Sequence, residues 1–173
     1  MHEIKSIETE YNGVLFRSRL EARWAVFFDN LRVDWRYEFE GYETSTGYYL
    51  PDFYLPNVYM RDTRQKGVLF EVKPESYEGT EHDQLTEVGR ALGVSGMLAK
   101  GFQYNGAHDW DGLYQVALGW DDNMMIYKCS CGKVKFDYHE ANYMECPNPH
   151  CKEILEPMAC WLAYNAANTY RFW

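Results

Sequence analysis

The run Val68-Leu69-Phe70-Glu71-Val72-Lys73 restricts the fold of this chain more than any other segment. Apolar residues surround one acid and one amine, with neither Gly nor Pro among them, which reads as a buried strand. Successive side chains on a strand point to opposite faces, so Glu71 and Lys73 share one face while Phe70 and Val72 fill the other. A carboxylate in such a strand is costly unless something compensates it. The aromatic segment Tyr48 to Leu55 reads as a second buried strand and carries Pro51-Asp52, with 18 residues between Asp52 and Glu71. If the two strands are neighbours, both carboxylates can share Mg²⁺ or Mn²⁺, hard cations that prefer oxygen ligands, with the Val72 carbonyl as a further oxygen. Such a cation activates water and neutralises charge on a phosphate, while Lys73 orients the water or stabilises the developing negative charge. Pro51 suits a strand position that forgoes a ladder hydrogen bond. The plainer reading is an edge strand with Glu71 and Lys73 on the surface and Asp52 in a turn. The buried character of both segments favours the metal site.

Upstream, Ile4 to Tyr11 alternates apolar and polar residues, Asn12-Gly13 signals a two-residue turn, and Val14 to Phe16 resumes the strand. Ser18 starts a helix to about Leu31, with Leu20, Trp24, Phe27, Phe28 and Leu31 on its apolar face. Trp35 to Tyr42 reads as another strand, followed by a turn over 43–47, and a charged loop spans 61–67. A second helix is predicted over 81–92, stopped by Gly93, then strands over 94–102 and 113–120 joined by a loop carrying His108, Asp109 and Asp111. A short helix is expected over about 159–170. From this second helix Gln84 and Glu87 either line the site or form a solvated face.

Net charge is −9, which argues against a broad basic surface for nucleic acid. The charge is uneven, at −3 over residues 1–75 and −5 over 76–128. Arg17, Arg19, Arg23, Arg32, Arg36, Arg61, Arg64 and Lys66 gather in the part that carries the candidate site. The high aromatic content, 17%, suits either a well-packed α/β core or surfaces that stack on bases. No window approaches the ~18 apolar residues of a membrane span, and the N-terminal residues form no signal peptide. The chain reads as cytoplasmic, and as resident in host cytoplasm if phage-encoded.

All five Cys lie beyond residue 128, which in a reducing compartment favours a metal site over disulfides. Cys129 and Cys131 are separated from Cys146 and Cys151 by 14 residues. Two thiolate pairs on two turns can close a tetrahedral, structural Zn²⁺ site. The spacings depart from the usual C-x-x-C knuckle, so His150 stands as an alternative to Cys151. Cys160 on an apolar helix face reads as core, and His139 as a surface residue.

The ordered set Phe16-Arg17-Ser18-Arg19-Leu20-Glu21-Ala22-Arg23-Trp24-Ala25, then Leu50-Pro51-Asp52-Phe53, then Phe70-Glu71-Val72-Lys73-Pro74, resembles the PD-(D/E)xK nuclease superfamily. The likeness is greatest to small phage and mobile-element members, and more distant to resolvase-like and transposon-end nucleases; it covers about residues 10–102. It implies a restriction-endonuclease-like α/β (α+β) fold, a mixed sheet flanked by helices, and metal-dependent hydrolysis of DNA. By the same resemblance Asp52, Glu71 and Lys73 match the core motif and Glu21 the acid on the first helix. Ser18-x-x-Glu21 also fits a capping box, a role that needs no metal. Arg17 and Arg23 either contact phosphate or pair with a neighbouring acid.

The expected organisation is a nuclease-like domain over 1–125 and a zinc-ribbon-like module with a C-terminal helix over 126–173. The expected function is a Mg²⁺-dependent endodeoxyribonuclease acting on duplex or branched DNA, alone, as a homodimer or in a larger phage or mobile-element complex. Its rival is a non-cleaving nuclease-like module that binds nucleic acid or protein, such as an adaptor or an inhibitor of a basic partner.

Overall fold

The computed structural model describes residues 6–60, 66–78, 81–104, 110–115, 124–138, 146–151 and 158–172. The chain opens with a hairpin of β1 (Thr9–Tyr11) and β2 (Val14–Phe16). Its turn places Asn12 and Gly13 at φ 51° and 77°, the two left-handed residues that a type I′ turn requires. Ser18 then caps α1 (Arg19–Leu31), its Oγ accepting from the Glu21 N–H at 3.1 Å. Loss of such a cap costs about 1 kcal/mol. Two short strands, β3 (Arg36–Tyr37) and β4 (Tyr42–Thr44), precede β5 (Gly47–Tyr49), which pairs with β4.

A mixed sheet forms the centre, ordered β10-β11-β6-β7-β8-β9 with β3 also on β6. Its strands are β6 (Phe53–Met60), β7 (Lys66–Lys73), β8 (Ser95–Tyr104), β9 (Trp110–Gln115), β10 (Met124–Lys128) and β11 (Val134–Tyr138). Between β7 and β8, which run parallel, lies α2 (Glu81–Leu92), since parallel neighbours need a long crossover. The last helix is α3 (Met158–Thr169), packed on α1.

Alternation along β7 divides the two faces of the sheet. Phe70 meets Trp24 and Phe28 of α1 edge-on, with ring centroids 4.8 and 5.2 Å apart, in a core that also holds Phe16, Phe53, Val68, Val72, Met97 and Phe136. On the other face Leu69 and Leu98 pack against Leu85 and Val88 of α2, with Tyr49. Glu71 and Lys73 follow Leu69 by alternation and so point to the α2 side.

Several expected boundaries move. The strand expected over Tyr48 to Leu55 is two strands, broken at Leu50-Pro51-Asp52, because Pro51 has no N–H to donate to a ladder. Beyond it β6 continues to Met60 through Pro56, and its register against β7 shifts between Leu55 and Tyr59. The strand expected over Trp35 to Tyr42 survives at Arg36–Tyr37 and at Tyr42, which opens β4, since Glu38 turns the backbone to φ 42°; the turn expected over 43–47 shrinks to Ser45-Thr46 between β4 and β5. Asp111 belongs to β9 instead of a loop; His108, Asp109, His139 and the expected strand residues 116–120 lie outside the described residues. The compositional change at residue 126 is no boundary of the sheet: β11 pairs in parallel with β6, Val134 opposite Val58. Cys160 is fully buried beneath β10, its Sγ donating to the Ile126 carbonyl at 2.7 Å, and burial pushes this thiol up to about 12. Among the described residues no helix is long and apolar enough to cross a membrane.

Candidate functional site

Antiparallel pairing of Phe53 with Phe70 sets Asp52, the residue before β6, opposite Glu71 on β7. Both carboxylates are 2% exposed. Their side chains are fixed from three directions. Asp52 Oδ2 accepts the Val72 N–H at 2.7 Å, while Asp52 Oδ1 receives Arg17 Nη2 at 2.5 Å. Glu71 Oε2 accepts the Tyr49 hydroxyl at 2.7 Å and the Asp52 N–H at 3.3 Å. Lys73 Nζ lies 2.7 Å from Glu71 Oε1, so acid and amine share a face as their spacing requires.

The first helix adds a third acid. Glu21 is 7% exposed, and its Oε1 accepts from Ser18 Oγ at 2.7 Å. Its Oε2 accepts from the Tyr37 hydroxyl at 2.5 Å and from the Arg17 N–H at 3.2 Å. The expected capping box is therefore formed in altered shape, the reciprocal bond going to the Arg17 amide instead of that of Ser18. Capping does not remove Glu21 from the site's electrostatics. Burial, then the negative charges of Glu71 and Glu21, hold the Asp52 carboxyl well above the usual carboxylate range; the Val72 N–H and Lys73 only partly oppose them. Burial and the bond to Glu21 likewise raise the Tyr37 phenol.

Arg17 is an ion-pair residue in this structure. Its Nε reaches Glu38 Oε1 at 2.6 Å while Nη2 holds Asp52. Burial would lower its pKa, but Asp52, the Tyr37 hydroxyl and Glu38 outweigh that and raise it. Arg23 Nε is buried and has no hydrogen-bond partner among the described residues. Gln84 and Glu87 are outside the site. Glu87 accepts from Ser45 N–H at 2.9 Å and Ser45 Oγ at 2.6 Å, and Gln84 Nε2 donates to Thr44 Oγ1 at 3.2 Å. They fasten the β4–β5 turn to α2. Tyr37, Glu38 and Tyr49 were not singled out from sequence. Tyr49 stands three residues before Asp52, an odd separation across the Pro51 break, so strand alternation gave no signal for it.

Cys129, Cys131, Cys146 and Cys151 converge, with all four sulfurs within 4.8 Å of one another. The Cys129–Cys151 and Cys131–Cys146 sulfurs are 3.5 and 3.4 Å apart. Disulfide sulfurs sit about 2.05 Å apart, whereas Zn–S bonds of about 2.3 Å place tetrahedral sulfurs about 3.8 Å apart. The first pair lies on a tight turn between β10 and β11, closed by Gly132 N–H to the Cys129 carbonyl at 2.8 Å with Gly132 at φ 86°. On the second, the Asn148 N–H donates to Cys146 Sγ at 3.4 Å. Burial alone would raise the Cys131 thiol, but the Lys133 N–H and the neighbouring sulfurs bring it down to about 7. Cys146 is pushed up, chiefly by burial. His150 is exposed, its N–H directed to Asn148 Oδ1, and the fourth sulfur of the cluster is that of Cys151.

Among the described residues this cluster is the group of three or more Cys, His or acidic side chains converging at metal-binding distance. The three acids Glu21, Asp52 and Glu71 do not converge so closely; hydroxyls, amides, Arg17 and Lys73 hold them. No protein-family model, curated protein or solved structure matches the chain. The molecule is thus defined by its own geometry: a mixed α/β protein with a buried acid pair at one end of its sheet and a four-cysteine cluster beside the β10–β11 turn.

Proposed function

We propose that the chain is a Mg²⁺- or Mn²⁺-dependent endodeoxyribonuclease with a restriction-endonuclease-like core of the PD-(D/E)xK type, and that its cysteine cluster holds a structural zinc. The observation that carries this reading is the buried Asp52–Glu71 pair facing across two antiparallel segments, with Lys73 on the second acid. The donor set fits a hard cation. It is built of oxygens, and Asp52 is raised by burial and by two neighbouring negative charges, the signature of a site short of positive charge. A divalent ion bound there activates a water and neutralises charge on the phosphate.

Asp52, Glu71 and the Val72 carbonyl would hold the ion. The Val72 N–H and the Tyr49 hydroxyl fix the two carboxylates in single rotamers, which limits reorganisation. Lys73, 21% exposed, can donate to an incoming water or a phosphate oxygen while keeping contact with Glu71. Glu21, anchored by Ser18 and Tyr37, adds negative charge. Four cysteines leave a zinc no open position, so that module is structural.

A second reading is a non-cleaving module that binds nucleic acid or, as the net charge of −9 favours, a basic protein partner. Incubation of linear, supercoiled, single-stranded and branched DNA with Mg²⁺, Mn²⁺ or EDTA separates the two, with Asp52→Ala and Lys73→Ala beside wild type. Metal-dependent cutting lost in both variants is expected. Equal cutting by Asp52→Ala removes the nuclease reading, and salt-sensitive DNA binding without cutting supports the second.

A further inference from the structure

We propose that Arg17 is an internal counter-ion that competes with the divalent cation for Asp52, and that Glu38 is the position to which it withdraws. The inference rests on the metal-site reading above and concerns how that site is filled. The Arg17 side chain is 56% exposed, yet its Nη2 lies 2.5 Å from the deeply buried Asp52 Oδ1. A cation joining Asp52 and Glu71 needs oxygen lone pairs that this guanidinium engages. Arg17 has the freedom to leave, because more than half of it already faces solvent. Its destination is also built: Glu38 Oε1 sits 2.6 Å from Nε of the same guanidinium.

Glu38 is held there by the site itself. Its backbone takes the left-handed conformation, φ 42°, which is unfavourable for a residue with a side chain. The Glu38 N–H donates to the Asp52 carbonyl at 2.9 Å, tying that conformation to the residue Arg17 must release. Asp52 and Glu38 thus share one guanidinium, one acid buried and one 25% exposed. With no cation, Arg17 offsets the Asp52 charge; with a cation, Arg17 stays on Glu38 at the rim, where its free edge can meet a phosphate. Arg17 and Glu38 are positioning residues in this scheme.

Calorimetric titration of Mn²⁺ into the full chain, with its cysteine metal retained, tests the competition. Arg17→Gln should bind Mn²⁺ about tenfold more tightly than wild type, the discount for a half-exposed charge-assisted hydrogen bond included. Arg17→Lys should stay near wild type. Glu38→Gln should bind more weakly, because Arg17 then has Asp52 alone, yet the same change should have no effect in an Arg17→Gln background. In EDTA, Arg17→Gln should melt below wild type, and Mn²⁺ should raise its Tm by more than it raises that of wild type. Equal or weaker binding by Arg17→Gln, beside a wild type that binds, overturns the counter-ion role and leaves the metal site standing. Absence of Mn²⁺ binding in wild type and Arg17→Gln alike overturns both. Should Arg17→Gln fail to fold, unchanged affinity in Glu38→Gln is the refuting result.

Discussion

Replacing Lys73 with methionine removes the ammonium 2.7 Å from Glu71 Oε1 while keeping the aliphatic length of the side chain. Glu71 would remain 2% exposed, with the Tyr49 hydroxyl and the Asp52 N–H as hydrogen-bond donors. Breaking a buried ion pair from one side typically costs 3–5 kcal/mol, because the other charge stays behind in a poor solvent. Here the lower end applies, since Lys73 is partly solvated and two donors persist. The expected loss is about 3 kcal/mol, or roughly 6–12 °C in Tm for a chain of this size. Urea unfolding in EDTA measures it, with Glu71→Gln/Lys73→Met as the control. That double variant carries neither charge and preserves an acceptor for Tyr49, so it should recover most of the loss. Millimolar Mn²⁺ should also restore part of the Lys73→Met loss by supplying positive charge to the same carboxylates. A Lys73→Met protein within about 0.5 kcal/mol of wild type, or a double variant worse than the single, would refute the buried-pair argument.

Two further outcomes follow from the same geometry. Purified protein should carry about one zinc per chain by elemental analysis, and Cys129→Ser or Cys146→Ser should lose the metal and shift unfolding to lower denaturant, whereas His150→Ala should change neither. The Asp52 carboxyl, raised in the folded state, contributes stability below its unfolded value of about 4 that is lost as pH rises through the folded value. In EDTA, Asp52→Asn should therefore gain on wild type as pH rises from about 4 to neutrality; a difference independent of pH contradicts the assigned shift.

Local chemistry was legible where neighbours in sequence decide it. Ser18 and Leu31 bracket α1 as the cap and the apolar spacing require, 81–92 forms the second helix, and Asn12-Gly13 makes the hairpin turn. The alternation of Phe70, Glu71, Val72 and Lys73 was equally readable, because a strand admits only two faces. Bounds failed at Pro51 and Glu38, where one residue's backbone ended a run that side-chain pattern alone continued. The pairing of β11 with β6 was illegible for another reason: nothing local in 134–138 encodes a parallel partner some 75 residues upstream.

By itself, then, the sequence determined which residues can carry chemistry: an acid and an amine on a buried strand, an acid beside Pro51, an acid on a capped helix, and four thiols in two pairs. Tertiary structure alone decided what each of them touches. It set Asp52 opposite Glu71 through the Phe53–Phe70 register, put Asp52 and Glu38 on the one Arg17 guanidinium, brought in Tyr37 and Tyr49, and selected Cys151 over His150. The physical reason is range. Caps, turns and strand alternation act within a few residues, whereas the neutralisation of a buried charge depends on whichever distant side chain the packed sheet delivers to it.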